Sequence, residues 1–163
     1  MQDIKVCVVD TGVDVDHPDL AANIVGGENF VSKKGRVDSS AYDDDNDHGT
    51  HVAGNDYRSS VSFPAAFPET IAVSATDDQD RLASFSNIGP EVSFAAPGVN
   101  VLSTVKGGEY KAFNGTSMAT PHVAGVYALM LSEGKTSVKA DDIGLSANEQ
   151  GAGLVNALRT VTE

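Results

Sequence analysis

Apolar residues cluster into short blocks separated by turn formers. The run IKVCVV, Ile4 to Val9, reads as a buried strand that ends at Asp10-Thr11-Gly12, where glycine permits a sharp exit. A carboxylate is thereby presented at the C-terminal edge of a strand. In HPDLAANI, Pro18 stands where a first helical turn begins, and Gly26-Gly27 separates that turn from a short strand at Glu28 to Val31. Ser32 to Asp47 reads as loop. Gly49 to Gly54 has helical character, but NDYRSS stops it after little more than one turn.

Beyond FPAAFPE, TIAVSA is strand-like and the segment ATDDQDRLASFSNIGP is rich in turns. Two short strands follow at Val92 to Phe94 and Val99 to Val105, with Pro90 and Pro97 marking the breaks. The strongest helix signal runs from Ser117 to Ser132, with Pro121 tolerated in its first turn and Gly134 as the stop. Its apolar positions surround the cylinder, which predicts a buried helix. A weaker helix is expected at Ser137 to Ile143, and GAGLVNALRTV closes the chain with an amphipathic turn or two. Strands alternating with helices predict an α/β fold with a parallel sheet, whose ligands bind beyond the carboxyl ends of the strands. Asp10 occupies such a position.

At 163 residues the chain suits one domain with a real core. Acidic residues number 23 against 11 basic, a formal charge of −12, so a basic nucleic-acid footprint is absent. The acid is spread along the chain rather than gathered in a tail. Such an excess repels itself in dilute buffer and is screened by concentrated salt, as in a protein from a halophilic host. Cys7 is the one cysteine, lies within an apolar run and is expected to be a small buried hydrophobe rather than a catalytic thiol. No apolar stretch is long enough to span a membrane, and Met1-Gln2-Asp3 leads into the first strand without the apolar core of a signal peptide.

Peptide hydrolysis by a serine requires a base, an acid to orient it, and donors for the oxyanion. Asp10 suits the orienting carboxylate, His48 the base and Ser117 the nucleophile at a helix N-terminus. Singly, each has a plainer role: a strand-end turn former, a surface histidine and a helix N-cap. Their neighbours, VVDTGVDVDHPDL, HGTHVAG and NGTSMATPHVAG, resemble the three signature segments of the subtilisin-like (subtilase) serine peptidases, in that family's order of Asp, His, Ser. The similarity continues through FPAAFPETIAVSATD, LASFSNIGPEV, FAAPGVNVLST and GAGLVNA, and the acidity suits its halolysin-like members.

The resemblance implies a three-layer subtilisin-like α/β fold, with Asp10, His48 and Ser117 as the triad of a serine endopeptidase acting on polypeptides through an acyl-enzyme. It makes His17, His51 and His122 scaffold, the last packed and hydrogen-bonded within its helix. It also implies an extracellular protein, no cofactor for the chemistry, and room for structural calcium with no ligands assigned. Ser117 follows His48 by 69 positions, about 90 fewer than the family pattern, so the single domain of residues 1–163 is expected to be internally truncated near 53–55. Ala53-Gly54-Asn55 resembles both the end of HGTHVAG and the family's AGN segment, which makes Asn55 the candidate oxyanion donor. Its plainer role is a helix-terminating residue beside Asp56.

Three other readings stand beside this one. The Asp-Thr-Gly at residues 10–12 resembles one half of an aspartic-protease dyad, which needs a second copy. Asp43, Asp44, Asp45, Asp47, His48 and His51 could form a metal site, although such runs are usually solvated loops. A non-catalytic remnant, or an interaction module whose exposed sheet edges pair with another chain, is the main competitor. Oligomeric state and substrate preference are left open.

Overall fold

The computed structural model describes residues 4–8, 13–29, 32–33, 36–37 and 54–163. Along the chain, a 3-10 turn at Ala21–Asn23 is followed by strands β1 (Ser32–Lys33), β2 (Arg36–Val37), β3 (Ala72–Thr76), β4 (Val92–Pro97), β5 (Val101–Val105) and β6 (Glu109–Phe113). Helix α1 (Thr116–Ser132), strand β7 (Ala140–Asp141), helix α2 (Ala147–Gln150), strand β8 (Leu154–Val155) and helix α3 (Ala157–Thr162) complete it. Two compact units form. The larger takes Met1–Cys7, Thr50–Val101 and Phe113–Glu163, the smaller Val8–Gly49 and Leu102–Ala112.

In the larger unit the sheet order is β3-β4-β8-β7, with β3, β4 and β8 parallel and β7 antiparallel to β8. Side chains alternate across a strand, so β3 addresses both faces of the sheet. Val73 and Ala75 pack with Ala119 and Val123 of α1, while Ala72 joins Val61, Ala65 and Val92 in a second cluster. On that second side Ser74 Oγ donates to the Glu149 carbonyl of α2 at 2.5 Å. The α/β layering expected from the sequence is therefore present, with α1 on one face and α2 with the 61–65 segment on the other.

Small residues let α1 lie close to the sheet. Ala75, Ala95, Ala96 and Ala119 are fully buried, and a Cβ on Gly98 would fall 2.6 Å from Ala75 Cβ and 2.8 Å from the Gly115 carbonyl. The Gly115 N–H donates to the Gly98 carbonyl at 2.8 Å. These contacts fasten the start of α1 to the chain just beyond the C-terminal end of β4.

Several expectations are corrected. Helix α1 is not buried all round: Thr116, Ala119, Val123, Val126 and Met130 form one buried stripe, while Leu129 and Leu131 are nearly half exposed. His122 is exposed too, and instead of packing it holds the Met118 carbonyl through Nδ1 at 2.8 Å. Residues 4–8 form no strand, and Val6 and Cys7 are exposed, because no described strand pairs with the run. Instead Ile4 and Val6 join Ile71, Val123, Tyr127 and Leu131 around an open, mostly apolar cleft of about 300 Å³.

The helix expected at Ser137 to Ile143 is absent. Ala140 and Asp141 pair with β8 instead, and Asp141 accepts from Asn156 Nδ2 at 2.7 Å and from Arg159. Tertiary pairing here overrides a weak local preference. The expected strand at Glu28 to Val31 does not form at its described residues, 28–29, whereas the β1–β2 pair arises where loop was expected. The helical turn expected at 49–54 lies outside the described residues except for Gly54, which has no regular structure.

The smaller unit is organised around His17, which is fully buried. Its Nδ1 accepts from the Asp19 N–H at 3.2 Å, so a neutral ring carries its proton on Nε2, which faces the Glu109 carbonyl at 3.3 Å. The Tyr110 ring meets it edge-on, and the Tyr110 hydroxyl donates to Asp19, which raises the phenol's pKa. The Gly107 N–H donates to Asp14 at 2.9 Å and holds that carboxyl below the usual range. His17 is thus a structural residue, as the resemblance implied.

Two predictions follow from this packing. Gly98→Ala inserts a methyl where backbone and Ala75 leave no room, and should lower stability by about 1–3 kcal/mol in urea denaturation; an unchanged midpoint contradicts the packing. Hydrogen bonds also hold Asp77, Asp141, Asp142, Glu149 and Glu163 below the ordinary carboxylate range, chiefly from Arg81, Asn156, Gly144, Ser146 and Arg159 respectively. Their folded pKa values are depressed, so their contribution is present above pH of about 4 and disappears as pH falls through the folded values. The urea midpoint at fixed salt should be flat from neutrality to about pH 5 and fall below about 4, less steeply in Asp141→Asn. A midpoint independent of pH down to about 3 contradicts this.

Candidate active site

The first N–H groups of a helix have no partner inside it. In α1 the N-cap is Gly115, which has no side chain to cap them. The partner comes from 61 residues earlier: Asn55 Oδ1 accepts from the Thr116 N–H at 2.9 Å and from Thr116 Oγ1 at 3.0 Å. A backbone N–H can only donate, so the amide oxygen of Asn55 must face Thr116 and its nitrogen must point the other way. That nitrogen lies 3.6 Å from the point a Cβ on Gly115 would occupy, and the Ser117 N–H nitrogen lies 3.6 Å from the same point. These two nitrogens, with Met118 Sδ at 3.7 Å, border the space left open by the missing side chain at Gly115.

Ser117 is half-buried and is the second residue of α1, not its cap. Its carbonyl would ordinarily accept from the N–H of residue 121, which is Pro121 and has none. Pro121 therefore sits beyond the first turn where the sequence pattern placed it. The aligned peptide dipoles of the helix favour negative charge at this end. Asn55 is exposed and has no regular structure, and the helix that its plainer role would end lies outside the described residues except for Gly54.

Asn55 and the Ser117 segment are therefore brought together. Asp10 and His48 lie outside the described residues, as do Asp43, Asp44, Asp45, Asp47 and His51. Among the described residues no cluster of His, Cys, Asp and Glu has the arrangement of a metal site. Thr116 was not anticipated. Its only signal in the sequence is its place between Gly115 and Ser117, which does not reveal a partner 61 residues away.

The subtilase-family model matches residues 1–55 and, as a second piece, 53–158. The chain belongs to the subtilase family. It is 49% identical over 121 residues to the halolysin-like extracellular serine protease Nep of Natrialba magadii, covering 68% of this chain and 22% of the relative. It is 50% identical over 121 residues to halolysin of Haloferax mediterranei, covering 68% and 23%. Subtilisin NAT of Bacillus subtilis subsp. natto is 30% identical over 225 residues, covering 84% of this chain and 58% of that protein. This subtilase chain thus spans about a quarter of the length of the halolysin relatives and a little over half of the subtilisin.

The Asn55–Thr116 contact makes a stability prediction of its own. Asn55→Ala leaves the buried Thr116 N–H and Oγ1 without their acceptor and should cost about 1–3 kcal/mol. Asn55→Asp keeps the acceptor oxygen beside the positive end of α1 and should stay within about 0.5 kcal/mol of the parent. Equal losses in the two variants, read by urea denaturation, contradict the contact.

Proposed function

We propose that this subtilase chain is a serine endopeptidase, with Ser117 as nucleophile, His48 as general base, Asp10 as the carboxylate orienting it, and Asn55 as an oxyanion donor. The observation that carries the reading is the fixed orientation of Asn55, whose oxygen is committed to Thr116 and whose nitrogen borders, with the Ser117 nitrogen, the open space beside Gly115. In the proposed cycle Ser117 Oγ attacks the peptide carbonyl while His48 takes its proton. The oxyanion is met by Asn55 Nδ2 and the Ser117 N–H, and His48 returns the proton to the leaving amine. Water then hydrolyses the acyl-enzyme by the same route. Polypeptides are the substrate class, no cofactor enters the chemistry, and structural calcium is allowed without assigned ligands.

The relative from Natrialba magadii, an extracellular serine protease, and the formal charge of −12 support a secreted protein working in concentrated salt. The reading includes an internal truncation at 53–55. The family model breaks and resumes there, with both pieces sharing residues 53–55. In the match to subtilisin NAT, 84% of 163 residues is about 137, so about 88 of the 225 aligned positions carry no residue of this chain.

One observation favours a second reading, an interaction module that needs a partner chain. The cleft walled by Ile4, Val6, Ile71 and Leu131 is apolar and open, and among the described residues the 81–86 segment meets β3 only at Ala75 and Thr76, with no strand beside Ala72–Ser74 on the side away from β4. Such a surface suits strand addition by another polypeptide.

Labelling by a fluorophosphonate serine probe in molar salt tests the enzyme. The folded chain should label at Ser117, Ser117→Ala should not, and Asn55→Asp should label at least about a hundredfold more slowly, a magnitude already established for loss of one such donor in subtilisin. A folded monomer that does not label overturns the reading, and labelling only after association with a partner favours the module.

A further inference from the structure

Asn87 lies outside every segment assigned to the chemistry, yet it is fully buried and makes three hydrogen bonds to the loop that carries Asn55. Its N–H donates to the Gly54 carbonyl at 3.1 Å, and its Oδ1 accepts from the Asp56 N–H at 2.8 Å. Both residues flanking Asn55 are thus tied to one side chain and its own backbone. Its Nδ2 donates to the Ser60 carbonyl at 3.1 Å, closing the far end of the loop.

The loop needs holding. Tyr57 and Arg58 both have left-handed backbone angles, φ of 49° and 67°, which non-glycine residues seldom adopt. Their N–H groups reach the Phe85 and Ser86 carbonyls at 3.1 Å each, so the segment 85–87 supplies a continuous template for 54–58. Gly54 has a φ of 109°, and a Cβ there would fall 2.5 Å from Asn87 Nδ2, so the approach is closed to any larger residue. Aspartate at 87 lacks the donor for Ser60, and alanine removes both side-chain bonds.

We propose that Asn87 is a positioning residue for the oxyanion site: it fixes the peptide units on either side of Asn55, so that the Asn55 oxygen stays on Thr116 and its nitrogen stays beside the open space at Gly115. The catalytic part rests on the proposed function; the positional part does not. Asn87 touches no reacting atom, and its effect passes entirely through Asn55.

Amide hydrogen exchange separates the two parts. In Asn87→Ala the Thr116 amide should exchange at least tenfold faster than in the parent, while Val126 in the middle of α1 and Val73 in β3 keep their protection. Thr116 exchange unchanged from the parent overturns the proposal, as does its loss together with Val126 and Val73, which marks general destabilisation. Probe labelling at Ser117 should be slowed at least tenfold in Asn87→Ala, and Asn55→Ala/Asn87→Ala should be no slower than Asn55→Ala alone. Additive slowing overturns the proposal, because it makes Asn87 act independently of Asn55. A parent chain that never labels, with Thr116 exchange still dependent on Asn87, refutes the proposed enzyme and leaves the positioning role standing.

Discussion

One amide oxygen holds the candidate site together. Asn55 Oδ1 takes two donors from Thr116, one of them an N–H that the start of α1 could not otherwise satisfy. That commitment fixes which end of the Asn55 amide faces the helix and leaves its nitrogen beside the open space at Gly115. The rest of the larger unit serves this contact. The alanine core and Gly98 bring α1 down onto the ends of β3 and β4, and the 85–87 segment holds the loop on which Asn55 stands.

The same packing explains how a short subtilase body places a serine beyond the carboxyl ends of parallel strands. Gly115 donates to Gly98, one residue past β4, so the sheet's edge and the helix's first turn are adjacent by direct hydrogen bonding. The proposed chemistry asks of this unit a nucleophile, a helix end and two donors. The same unit carries the open apolar cleft, which α1 lines from Thr120 to Leu131. Val6, Ile71 and Leu131 expose apolar surface along it.

Much of this was legible in the sequence where local pattern and tertiary role agree. The strand signal of TIAVSA is realised at Ala72–Thr76, where small and β-branched residues are buried on both faces of the sheet. Helix α1 spans the predicted residues to within one at its start. The three signature segments led to the subtilase family, and the shared Ala-Gly before Asn55 pointed to the residue that now contacts Thr116. Local pattern failed where the deciding partner lies far along the chain. Residues 4–8 have strand composition but no described strand beside them. Asp141 is drawn into an edge strand by Asn156 and Arg159 rather than into a helix. Asn87 looks like a turn residue in SFSNIG, and only its contacts with Gly54, Asp56 and Ser60 reveal what it holds.

The central claim is that the Asn55 nitrogen and the Ser117 N–H address one point where an oxyanion forms. A crystal structure of the chain bearing a phosphonyl group on Ser117 Oγ tests it most directly. The account predicts a phosphonyl oxygen about 3 Å from both Asn55 Nδ2 and the Ser117 nitrogen, with Asn55 Oδ1 still on Thr116. An adduct whose oxygen meets neither donor, or an Asn55 amide released from Thr116, contradicts it.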